Sequence, residues 1–216
     1  MESLLAALIP LGLGVLLSPE ILMLGLWLGS CQEQALKKAW LFCVAGLFGL
    51  AICVAIGFFL SQATSTGPSV VKFTIRAAFG AIFVLLGLHM LIKGHKKIDP
   101  SRFSAGVRPI WSAGLGYAST GLNLKVISLA TAAGHQVGIS VLGPLDRAAG
   151  IAVFLGLGFI PLLLPAALES VKHGLVHTIM EPCNRFFMRY GRWLAVMIFF
   201  AMAAMMLKGA FEVKPW

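Results

Sequence analysis

The sequence predicts an all-α membrane protein: six transmembrane helices arranged as two inverted three-helix repeats, the first helix of each repeat broken. Three observations predict it. Only 12% of the 216 residues are charged and 59% are hydrophobic, where a soluble domain carries about 25% charged residues. The apolar residues gather into six stretches, each approaching the roughly 20 residues that cross a bilayer core. The text opening the fourth stretch, 114-GLGYASTGLNLK-125, also echoes 12-GLGVLLSPE-20 in the first. A repeat with an odd number of spans must reverse its orientation in the second copy, and inverted repeats are a common secondary-transporter plan.

Taken in order, the spans are Leu4–Leu28, Trp40–Leu60, Val70–Ile92, Ile110–Gly134, Ala148–Leu168 and Phe186–Phe211. The first lacks the basic n-region and small-residue cleavage site of a signal peptide, and is expected to stay in the mature protein. The third and sixth contain Arg76, Arg192 and Lys208, all near an end, where a long side chain snorkels to the headgroups. Between spans three and four, 94-GHKKIDPSRFSAGVRP-109 is polar and basic. The chain thus divides into a first repeat at 1–93, a cytoplasmic linker at 94–108 and a second repeat at 109–216. The stretch 170–192 mixes apolar, aromatic and basic residues as an interfacial amphipathic helix does. Glycines 46, 49, 57, 150, 156 and 158 are expected to let helices approach closely.

The net charge of +9 reports orientation rather than nucleic-acid binding. Lys37, Lys38, Lys93, Lys96, Lys97, Arg102, Arg108, Lys172, Arg185 and Arg189 fall on one side of the spans. Only Lys72, Arg76, Arg147, Lys208 and Lys214 fall on the other. Ten against five places the first side in the cytoplasm of a bacterial inner membrane, with both termini extracytoplasmic. The four cysteines form no C-x-x-C pair, which argues against a membrane thiol–disulfide carrier. The chain holds no nucleophile elbow, phosphate loop or H-E-x-x-H, so neither an enzyme nor a cofactor is expected. His173, His177 and Glu181 share a helical face but lack a fourth ligand, and no metal site is expected there.

The candidate site lies at the two interruptions. In 18-SPE-20, proline removes a backbone donor and clashes with the carbonyl four residues earlier. The freed groups need partners inside the membrane, and a mid-span charge costs at least ~2.5–3.5 kcal/mol. Either Pro19 is a kink whose neighbouring carboxyl is protonated or structurally paired, or Ser18 and Pro19 open a hydrated pocket where Glu20 binds substrate or a proton. In 119-STGLNLKV-126, Gly121 loosens the helix, Asn123 can bond freed backbone groups, and Lys125 brings a base. A bound anion could replace Glu20 as partner of Lys125. At 1.5 Å rise per residue, straight helices would leave the two charges about 10 Å apart along the membrane normal, so a direct pair needs the breaks to close that gap. Pro161 and Pro165, one turn apart, are expected to bend the fifth span, as a gate or as a packing kink. His89 is a proton-relay candidate beside Glu20, with structural hydrogen bonding as the alternative. Glu169 reads as a solvated rim charge.

With these residues in view, the chain resembles the LysE exporter superfamily, and within it the Sap/GAP (sulfolipid-addressing, glycolipid-addressing) family. The likeness rests on 10-PLGLGVLLSP-19, Ala45-Gly46-Leu47, 78-AFGAIFVLLGL-88, the basic central loop, 122-LNLKVISLATAAG-134 and a final helix after an aromatic, basic stretch. It runs over nearly the whole chain, mostly as hydrophobic pattern. The resemblance implies that Pro19 answers to the family's S-P break, and Asn123 with Lys125 to its N-P-K element. Leu124 stands where that element has proline, which leaves Gly121 to open the second helix, and Glu20 is no fixed part of the family pattern. It further implies outward transport of a small molecule or lipid, for the GAP branch a glycolipid bound for the cell envelope. The expected function is a secondary transporter moving a small anionic or amphipathic solute by alternating access. A divalent metal-ion exporter and a non-transporting subunit of a lipid export complex are the alternatives. Membrane lipids and the solute are the expected partners, in a homodimer or a larger export machinery.

Overall fold

A computed structural model describes residues 2–29, 34–65, 69–93 and 108–171, and scattered positions between 176 and 208. Most of the linker, most of the sixth span, His173, His177, Glu181, Cys31 and Cys183 lie outside the described residues. Among the described residues all regular structure is helical: α1 Glu2–Leu16, α2 Pro19–Gly29, α3 Ala35–Ser65, α4 Ser69–Lys93, α5 Pro109–Gly121, α6 Leu124–Ile139 and α7 Pro144–Val171. Within α3, Ala35–Gln62 is 28 residues long, as is α7, and both are apolar enough to cross a membrane. At 1.5 Å per residue each spans about 42 Å, against a hydrocarbon core of roughly 30 Å. The first predicted span is a bent pair, with Glu2–Leu16 and Glu20–Gly29 turned 47° from each other; taken as one span it makes a third crossing.

Each long helix is the strut for a pair of shorter helices distant in sequence. α3 packs chiefly on α5 and α6, while α7 packs on α1 and α2; α1 also meets α6, and α2 meets α5. Small residues set these distances. A side chain on Gly57 would strike the Thr131 backbone, one on Gly134 the Val54 carbonyl, and one on Gly116 the Phe42 carbonyl. The Thr120 hydroxyl crosses the same seam and donates to the Gly46 carbonyl at 2.8 Å. On the α7 side, Gly12 lies against Leu157, Gly150 against Leu4 and Leu8, and Gly158 against Val15 and Leu50. Helices in lipid gain little from merely burying apolar area, so close backbone approach and interhelical hydrogen bonds carry more of the association. Val44, Phe48, Ile56 and Phe59 of α3 point outward, as residues solvated by lipid do.

Three expectations need correction. A Cβ on Gly156 would meet nothing within 4 Å, so this glycine is not a packing contact, unlike its five companions. Glu169 is no solvated rim charge: it is only 4% exposed. Lys38, counted among the loop charges, is buried at the start of α3. α7 runs unbroken through Pro161 and Pro165. The two prolines remove the helical hydrogen bonds that would end on the Leu157 and Pro161 carbonyls. Both are buried, and Pro165 packs on Gly25 of α2.

The glycine contacts predict opposite outcomes at two helical positions. Gly134→Ala drives a methyl group into the Val54 carbonyl and should lower the melting temperature of the detergent-solubilised protein by several degrees. Gly156→Ala meets open space and should raise stability by about 0.5–1 kcal/mol, the helix penalty of glycine. Thermal unfolding followed by circular dichroism checks both.

Candidate substrate site at two helix breaks

At the first break, one residue re-satisfies the acceptors that proline strands. Pro19 has no N–H for the Val15 carbonyl, four residues back; the Ser18 N–H donates to it instead, at 3.0 Å. That shift strands the Gly14 carbonyl, and the Ser18 hydroxyl donates there at 3.2 Å. Ser18 is fully buried, where an unmade hydrogen bond would cost several kcal/mol in hydrocarbon. Pro19 then takes the first position of α2, where a missing N–H is harmless and a fixed φ favours the helix. Glu20 follows in the first turn, at the positive end of the helix dipole, which favours a carboxylate.

The second break forms without proline. α5 closes at Gly121, Leu122 sits at φ −118°, ψ −6°, and Asn123 turns to an extended φ −78°, ψ 111°. Asn123 caps α6, its side-chain oxygen accepting from the Lys125 N–H at 3.1 Å, while its carbonyl accepts from the Ile127 N–H at 2.8 Å. Leu124, in the place of the family's proline, is the first residue of α6. Gly121 ends α5 and also packs closely: a Cβ there would lie 3.1 Å from the Tyr117 ring and 3.5 Å from Gly49 Cα. It lets the break seat against α3.

The two breaks place Glu20 and Lys125 alike, each second in its half-helix. The Glu20 and Lys125 charges interact electrostatically. Lys125 is 8% exposed, and its Nζ has no hydrogen-bond partner among the described residues. Helical side chains lean toward the N-terminus, so this ammonium reaches back over the break. Its other neighbour is the Phe199 ring, 5.8 Å from Nζ to the centroid.

The remaining candidates separate. Ser18, Asn123 and Gly121 belong to the breaks, and Pro165 touches α2 beyond the first one. His89 is exposed on α4. Sequence reasoning missed Phe199, whose part depends on a long-range contact, and His135, buried in α6 against Phe79. The signal for His135 was in the spacing: Lys125, Ser128 and His135 fall on one side of a helix. No family model, curated protein or solved structure matches the chain.

Two substitutions probe the site's construction. Asn123→Ala should cost about 1 kcal/mol through loss of the cap, and Asn123→Asp should restore most of it. Lys125→Met, which removes a buried charge while keeping the stem, should hold or raise the melting temperature, since apolar replacements of buried ionic groups are often neutral or stabilising by about 1–4 kcal/mol. Both are read by thermal unfolding in detergent.

Proposed function

We propose that the chain is a secondary transporter of the inner membrane, carrying a small anionic or amphipathic solute outward by alternating access. The observation that carries this reading is the Lys125 ammonium, buried in α6 without a hydrogen-bond partner among the described residues. Such a group costs at least ~2.5–3.5 kcal/mol at mid-membrane, and an anionic solute would offset that cost. Glu20, within electrostatic reach, is the counter-charge that the solute displaces and the proposed proton carrier. One acid facing one base suits an anion, where a divalent cation would want several carboxylates.

The architecture proposed is six spans in two inverted repeats, as in the LysE superfamily, with both termini extracytoplasmic. The packing supports it: exchanging α1, α2 and α3 with α5, α6 and α7 maps α3 on α5 and α6 onto α7 on α1 and α2, and α1 with α6 onto α5 with α2. Pro161 and Pro165, unbonded to the helix behind them, are the proposed bending points of α7, and Pro165 packs on Gly25 of α2.

In vesicles reconstituted with the protein and loaded with an anionic solute it exports, Lys125→Met should reduce the initial rate by at least about tenfold, equivalent to 1.4 kcal/mol or more. Glu20→Gln should abolish the pH dependence of the rate. Undiminished export by Lys125→Met, or an unchanged pH profile in Glu20→Gln, would refute the assigned roles.

A further inference from the structure

Beyond Lys125, α6 carries two buried polar side chains, Ser128 and His135, that the site just described does not use. Lys125, Ser128 and His135 are all buried, and at spacings of three and seven residues they fall on one side of the helix. From Lys125 to His135 the helix climbs about 15 Å. Opposite this side stand three phenyl rings. Phe199 lies at Lys125, with 5.8 Å from its centroid to Nζ; it stacks on Phe83 at 6.2 Å, and Phe83 stacks on Phe79 at 6.5 Å. Phe79 then meets the His135 ring at 6.3 Å. The ring ladder thus begins at one buried nitrogen-bearing side chain and ends at the other.

The ladder belongs to a panel distinct from the tight core. α4 and the C-terminal helical positions are seated together, Gly80 against Leu207 and Gly87 against Phe199 and Phe200. Between α3 and α6, by contrast, backbones touch at Gly57 and Gly134. Ring-on-side-chain contact between panel and α6 can part without breaking a backbone seam.

From this juxtaposition we infer that the seam between α6 and the phenyl ladder is the solute's exit lane, and that the solute is an amphipathic anion. Its acidic head passes from Lys125 along Ser128 to His135, while its apolar body slides over Phe199, Phe83 and Phe79. The Ser128 hydroxyl donates to the Leu124 carbonyl at 2.8 Å, and its lone pairs remain for a protonated head or water. A small hydrophilic anion would gain nothing from the ring wall. The inference rests on the transporter reading for direction and names the class of its substrate.

Single cysteines placed at 18, 128, 130 and 135 in a chain whose four native cysteines are serine test it. Vesicles are treated with a membrane-impermeant, anionic methanethiosulfonate from the side carrying the α6 C-terminus. Ser128→Cys and His135→Cys should react at least about tenfold faster than Ala130→Cys, buried on the other side of α6, because only a hydrated thiol ionises. Oleoyl lysophosphatidate or oleate should slow that labelling, and inorganic phosphate should not. If Ser18→Cys reacts while positions 128 and 135 stay as inert as 130, the lane is wrong and the wet break stands. If Ser18→Cys is inert as well, the transporter reading falls with it. Equal protection by inorganic phosphate, or protection by none of the three, overturns the amphipathic class. Ser128→Cys changes a single atom, so its labelling is read in a protein whose fold is otherwise intact.

Discussion

Hydrocarbon offers no hydrogen bonds, and this constraint orders the whole molecule. A helix may be interrupted there only if the stranded backbone groups find partners at once. Ser18 meets the requirement with two donors, its N–H shifted to Val15 and its hydroxyl to Gly14. Asn123 meets it with two acceptors, side chain and carbonyl, directed into the first turn of α6. One break is driven by a missing donor and repaired by a serine; the other is made by an asparagine cap alone. The two solutions differ in chemistry and reach the same geometry, a half-helix whose second residue is charged.

The struts follow from the same constraint. A broken helix cannot hold its own halves in register, so a continuous helix must lie across both. α3 lies across α5 and α6, and α7 across α1 and α2. For α3 to touch both halves closely its facing residues must be small, which explains Gly46, Gly49 and Gly57 along one side and the Thr120 hydroxyl bonded across the seam. Continuity matters more to these helices than straightness, and α7 tolerates two prolines without a break.

What the sequence disclosed and what it withheld divide along this line. Both breaks were legible because proline, glycine and asparagine act locally, and 18-SPE-20 and 121-GLNLK-125 carry their own backbone consequences. The glycine seams were legible as composition, yet Gly156, two residues from the packed Gly158, faces open space; which side of a helix meets a neighbour is not written beside the residue. Glu169 was misread because position near a span's end was taken for exposure, while its burial depends on how the helices assemble around the end of α7. Phe199 over Lys125 joins residues 74 apart in the chain, and no periodicity reports such a contact.

The asymmetry of the two charges with respect to their helices is itself informative. An acid in a helix's first turn is favoured by the dipole and a base there is opposed by it, each by about 0.3–1 kcal/mol and by up to ~2 kcal/mol when partly buried. Glu20 therefore sits where its own helix supports it, and Lys125 where its helix repels it. If the pair existed only to hold the fold together, a base at a helix C-terminus would serve better and cost less. Placing the ammonium over an N-terminus instead adds the helix's partial charge to its own and concentrates positive potential at one buried point. That arrangement is costly for a structural ion pair, and the concentrated positive potential is the feature on which the proposed anion site rests.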